Sequence, residues 1–147
     1  MYIAISLPVF FTACQKSTGS EKSEETESAS TPVAVSEVVQ QKNYLLSPAE
    51  FKEKIANDGV VIIDVRTPGE LVQLGKIKGA ENIDFQGSGF KKQIEALDKN
   101  KEYYVYCHIG GRSGRTKKLM DDLGFKNVYD LKGGIQGWLA AGYEVVK

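Results

Sequence analysis

The chain has 147 residues, with 19 Lys+Arg against 19 Asp+Glu, so its formal net charge is +0. That balance excludes the basic footprint of an obligate nucleic-acid partner, and the length suffices for one domain with its own core. The two cysteines, Cys14 and Cys107, lie in segments of different character and are not read as a disulfide pair.

Residues 1–13 are almost wholly apolar, with Ile3, Ile5, Leu7, Val9, Phe10 and Phe11. The run is shorter than the ~20 residues of a membrane-spanning helix and fits the apolar part of an export signal. It ends Phe11-Thr12-Ala13-Cys14. Small residues just before a cysteine resemble a bacterial lipoprotein signal, which implies that residues 1–14 are the signal and that Cys14 is lipidated. Residues 15–43 are rich in Ser, Glu, Thr and Lys and hold no aromatic residue. Such a stretch cannot bury enough apolar surface to offset chain entropy. It reads as a flexible tether, followed by a folded domain over residues 44–147.

The domain opens on a short strand, Tyr44-Leu45-Leu46. Ser47-Pro48-Ala49-Glu50 then starts a helix, with Ser47 as N-cap, Pro48 at N1 and Glu50 at N3. Val60-Val61-Ile62-Ile63-Asp64-Val65 is a β-branched run, as expected of a strand buried on both faces. Thr67–Leu74 predicts one or two helical turns stopped by Gly75. A loop leads to a strand over Asn82–Phe85, and Phe90–Leu97 predicts a helix with Phe90, Ile94 and Leu97 inward. Tyr103–Tyr106 is the next strand. A helical pattern runs from Arg115 to Leu123, a strand covers Asn127–Leu131, and a last helical turn runs to Ala141. Tyr143–Val146 is expected to pair at an edge. Strand and helix alternate throughout, which predicts an α/β fold: a parallel sheet with helices on both faces. In such sheets ligands bind beyond the carboxyl ends of the strands, and Asp64 and Cys107 both stand at such ends.

The stretch with the most chemistry is Cys107-His108-Ile109-Gly110-Gly111-Arg112-Ser113-Gly114-Arg115. A strand stops at a thiol, and a glycine-rich loop leads into a helix. Amides at a helix N-terminus lack intrahelical partners, and the dipole adds roughly half a positive charge there. A thiol so placed is stabilised as thiolate, its pKa falling from ~8.5 to roughly 3.5–7.5. Gly110, Gly111 and Gly114 let several amides converge on one point, and Arg112 and Arg115 add positive charge. The plain alternative is a small buried core residue, but a core cysteine needs no Gly-Gly-Arg-Ser-Gly run behind it. Ser113 can bond the sulfur or cap the helix. Lys117 and Lys118 read as a solvated helix face, His108 as a solvent-facing loop residue, and Trp138 as core.

Four motifs, in order, then carry a family resemblance. They are Ile63-Asp64-Val65-Arg66-Thr67-Pro68-Gly69-Glu70, Gly75-Lys76-Ile77-Lys78-Gly79-Ala80-Glu81-Asn82-Ile83, Cys107-His108-Ile109-Gly110-Gly111-Arg112-Ser113 and Leu131-Lys132-Gly133-Gly134-Ile135-Gln136-Gly137-Trp138. From about Tyr44 to the end the chain resembles the single-domain rhodaneses, a sulfurtransferase family. With the lipoprotein-like start, it is similar to envelope thiosulfate sulfurtransferases, periplasmic or surface-attached. The resemblance implies that the Cys107 thiolate takes the outer sulfur of an anionic donor such as thiosulfate. A cyanide or thiol acceptor then removes it, without metal or organic cofactor. It implies that the backbone of His108, Ile109, Gly110, Gly111, Arg112 and Ser113 binds the persulfide, that Arg112 faces the donor, and that Asp64 and Arg66 support the loop. Asp64 is expected to pair with Arg112. Two departures stand out: Lys76 where members often carry His, and His108 where Arg is common, which makes the pocket less cationic. The expected form is a monomer held to a membrane by its lipid, with no nucleic acid bound. Two other readings stay open, a low-turnover persulfide carrier or protein-interaction module, and a cysteine phosphatase or arsenate reductase. Against the latter, only four residues separate Cys107 from Arg112, one fewer than a phosphate-encircling loop of that kind uses.

Overall fold

The computed structural model describes residues 44–147; the signal, tether and lipidation expectations fall on residues 1–43, outside the described residues. The elements run β1 (Leu45–Leu46), α1 (Pro48–Lys54), β2 (Val60–Asp64), α2 (Pro68–Leu74), β3 (Glu81–Asn82), α3 (Phe90–Glu95), β4 (Glu102–Tyr106), α4 (Gly111–Asp122), β5 (Asn127–Leu131) and α5 (Gly134–Ala140). The five strands form one sheet in the order β1-β5-β4-β2-β3, and every paired strand is parallel.

Side chains alternate across a strand, so each β4 residue reports the face it serves. Tyr103, Val105 and Cys107 pack with Phe90, Ile94 and Met120, which places α3 and α4 on one face. Tyr104 and Tyr106 pack with Phe51, Ile135 and Trp138, which places α1 and α5 on the other. The expected two-faced α/β sheet is what forms. Trp138 is core, 4% exposed, with its indole N–H donated to the Glu144 carbonyl.

Two capping boxes set the helix entries. Ser47 and Glu50 satisfy each other's backbone amides at α1, and Thr67 and Glu70 do the same at α2, each with proline at the first helical position. Such a cap contributes about 1 kcal/mol. Tyr143–Val146 meets its expectation in part, through an antiparallel bridge between Val146 and Lys76.

Three local expectations are corrected. The strand expected over Asn82–Phe85 is Glu81–Asn82; past it the Ile83 and Phe85 amides still donate to the Asp64 and Val65 carbonyls, at 3.0 and 3.2 Å, where the chain runs past the end of β2. The helix expected over Phe90–Leu97 ends at Glu95. The helix expected from Arg115 begins at Gly111. Gly-Arg-Ser-Gly is a poor helical sequence, yet the buried Ser113, Thr116 and Met120 of α4 hold it on the sheet.

Candidate functional site

Asp64 and Tyr106 are in register at the carboxyl ends of β2 and β4, so Cys107 is the first residue past the sheet on the rim where ligands are expected. Its carbonyl accepts from the Ile135 amide at 2.8 Å, and the His108 carbonyl accepts from the Gln136 amide at 3.2 Å. The start of α5 thus pins the strand end that presents the thiol.

The chain then turns through Gly110, whose φ of +107° is a glycine conformation. Gly111 and Gly114 have no positive φ, so of the three expected turning glycines only Gly110 turns the backbone. The Gly110 N–H donates to Cys107 Sγ at 3.1 Å, and Ser113 Oγ donates to it at 3.4 Å. Ser113 Oγ also lies 3.2 Å from the Gly110 carbonyl, so its single proton is shared between that oxygen and the sulfur. Burial pushes the thiol pKa up. Hydrogen bonds from the Ser113 side chain and from the Ser113, Gly110 and Arg112 amides outweigh it, leaving the thiol below its ordinary value. Such a thiol is a nucleophile whose added charge the same amides can hold.

Cys107 opens into a cavity of about 330 Å³ lined by Glu70, His108, Ile109, Gly111, Arg112 and Arg115. A larger cavity of about 440 Å³ lies against Lys52, Lys78, Trp138 and Tyr143. None of its lining residues is a thiol or an imidazole, so the chemistry belongs to the smaller one.

The expected Asp64–Arg112 pair does not form. Asp64 pairs with Arg66, two residues on along the extended chain and therefore on the same side. Arg66 donates to it through its backbone N–H at 3.0 Å, Nε at 3.0 and 3.1 Å and Nη2 at 2.6 Å. Both residues are 0% exposed. Arg112 instead meets Glu70, Nη1 donating at 2.7 Å and Nη2 at 2.6 Å. Those bonds from Arg112, helped by the Thr67 cap, hold the Glu70 carboxyl down at about 2 despite partial burial. Glu70 also stands at N3 of the Thr67 capping box, a role that the spacing Thr67-Pro68-Gly69-Glu70 could have shown; its second partner, Arg112, it could not. His108 is half-exposed, with Nδ1 3.7 Å from Glu70. Lys117 and Lys118 pair with Asp121 and Asp122 along α4.

Sequence reasoning missed Asp130, a buried carboxylate on β5. Its one signal was an acid inside the apolar run Val128–Leu131. Burial pushes its carboxyl up to about 6, against hydrogen bonds from Ser113 and the Leu131 amide and the charge of Lys117. Oδ1 has no hydrogen-bond partner. An unfolded aspartate titrates near ~3.9, so between about pH 4 and 6 the folded chain keeps a proton that the unfolded chain has lost. This group's contribution is therefore largest below about pH 4, and stability falls as pH rises through that window. Asp130→Asn should remove a total fall in stability of about 3 kcal/mol between pH 4 and 7, read by urea unfolding at pH 4, 5 and 7. An identical pH dependence in the variant would refute this role.

The site is thus an amide-cradled cysteine just past the end of β4, in a parallel five-stranded sheet. The profile described as Rhodanese-like domain matches residues 47–141, and the chain belongs to that family. It is 38% identical over 94 residues to the putative sulfurtransferase YtwF of Bacillus subtilis, covering 63% of this chain and 87% of that one. It is 39% identical over 93 residues to the tRNA uridine(34) hydroxylase of Cytophaga hutchinsonii, covering 61% of this chain but 30% of that longer protein. Among solved structures, a rhodanese-related protein from Thermoplasma volcanium superposes with a TM-score of 0.61 at 35% identity, covering 69% of this chain and 95% of that one.

Proposed function

We propose that the domain is a sulfurtransferase working through a persulfide on Cys107. The observation that carries this reading is the pair of donors on Cys107 Sγ, the Gly110 amide at 3.1 Å and the Ser113 hydroxyl at 3.4 Å, at the start of α4. The thiolate attacks the outer sulfur of a donor such as thiosulfate. The S–S bond of the donor breaks, sulfite leaves with its electron pair, and the enzyme keeps a persulfide anion. The amides that held the thiolate then face the terminal sulfur. Cyanide or a thiol takes that sulfur, giving thiocyanate or a new persulfide, and the thiolate returns. The relative named a putative sulfurtransferase supports this reading across most of its own length. The hydroxylase name supports only the domain, since this chain spans 30% of that protein. A phosphoester reading fits less well, because the Arg112 fork is committed to Glu70.

The test is the mass of the Cys107 peptide after incubation of the chain with thiosulfate. One added sulfur atom, lost on adding cyanide and absent from Cys107→Ser, is the expected result. Sulfur released only to a particular protein would make the domain a carrier. Phosphate-ester turnover without sulfur uptake would overturn the reading. We also propose, from the lipoprotein-like run Phe11-Thr12-Ala13-Cys14, that the domain is tethered at the cell envelope through Cys14; palmitate labelling that persists in Cys14→Ser would contradict that placement.

A further inference from the structure

The wall of the Cys107 cavity is less cationic than its arginines suggest. Glu70 takes both outer nitrogens of Arg112, at 2.6 and 2.7 Å. The carboxylate is itself anchored, accepting from the Thr67 amide and hydroxyl, each at 3.0 Å. It sits at N3 of α2, in the capping box, so it does not swing aside freely. Glu70, Arg112 and Arg115 all line the cavity with Cys107. With the thiol ionised, one carboxylate and one thiolate face two guanidiniums, and the charges cancel.

A dianion such as thiosulfate entering this cavity meets a fork already filled by a carboxylate. It must either displace two charge-assisted hydrogen bonds or lie beside a like charge in a partly desolvated space. An alkyl persulfide, neutral or singly charged, meets a smaller penalty. Ile109, 69% exposed at the lip of the same cavity, adds an apolar contact for its carbon chain.

Building on the sulfur-transfer reading above, we propose that Glu70 is a specificity-determining residue which, by occupying the Arg112 fork, biases the site toward alkyl persulfide donors over dianionic thiosulfate. In the favoured step the Cys107 thiolate attacks the terminal sulfur of R–S–SH. The S–S bond breaks, R–S⁻ leaves with the electron pair, and the proton stays on the new enzyme persulfide. Charge and atoms balance without an oxidant.

The experiment compares cysteine persulfide and thiosulfate as donors to the full chain and to Glu70→Gln, reading sulfur uptake on the Cys107 peptide. Glutamine keeps the Thr67 cap, since Gln serves the capping box as Glu does, but removes the charge. The ratio of kcat/KM for thiosulfate to that for the persulfide should rise about tenfold in Glu70→Gln, mostly through a lower KM for thiosulfate; tenfold corresponds to about 1.4 kcal/mol. A ratio that moves less than about twofold while both donors load Cys107 overturns the role of Glu70 and leaves the transferase reading standing. Failure of both donors to load wild-type Cys107 overturns both.

Discussion

Asp64→Ala is expected to destabilise the domain by roughly 3–5 kcal/mol, the cost of leaving a buried charge without its partner. Arg66 is 0% exposed and spends its donors on Asp64 and on the Gly75 carbonyl, at 2.7 Å. Its remaining nitrogen, Nη1, is buried and already without a hydrogen-bond partner. The pair also organises its surroundings. Asn82 donates to the backbone carbonyls of both Asp64 and Arg66 at 2.8 Å, and Arg66 stacks 5.7 Å from the Tyr106 ring centroid. Losing it loosens the end of β2, the entry to α2 and the short β3 together. For a domain of this size the loss should lower Tm by more than about 12 °C. Asp64→Asn, which keeps an acceptor, should cost less. Urea unfolding of the three proteins decides it. Asp64→Ala within about 1 kcal/mol of wild type would show that the pair is incidental.

Gly134→Ala should damage both stability and the thiol. Gly134 has φ +58°, a conformation that costs an L-residue roughly 1–2 kcal/mol. A Cβ there would also stand 2.6 Å from the Cys107 carbonyl oxygen and 2.7 Å from the carbonyl of His108. Both contacts are backbone, so one of the two chains must move. The first amides of α5 hold those same carbonyls, and moving them shifts Cys107 relative to the α4 amides that ionise it. The expected loss is about 3 kcal/mol of stability, with slower alkylation of Cys107 at neutral pH. A variant with wild-type Tm and wild-type thiol reactivity would contradict the claim that α5 sets the loop.

These two sites mark where the sequence stopped being readable. Alternating strands and helices, the box at Ser47, and a cysteine at a strand end are local patterns, so their elements were legible. The start of α4 was not, because the helix propensity of Gly111–Gly114 is low while burial of Ser113 and Thr116 against the sheet is what forms the turn. Charge pairing was the larger gap. Asp64, Arg66, Glu70 and Arg112 offer two acids and two bases, and composition cannot say who meets whom. The spacing of Asp64 and Arg66 on extended chain held the clue to a local pair, which leaves Arg112 to Glu70. Gly133 and Gly134 were quoted as a motif without a physical role. Only the approach of α5 to the Cys107 carbonyl explains why a side chain is excluded there.

Sulfur transfer through Cys107 depends on the ionisation state of one sulfur. The direct measurement is the pH dependence of Cys107 alkylation, followed by the mass of the Cys107 peptide, in the full chain and in Ser113→Ala. An apparent pKa below the ~8.5 of a free thiol is expected, rising when the Ser113 hydroxyl is removed. A wild-type thiol that titrates at or above ~8.5, and is indifferent to Ser113, would contradict it.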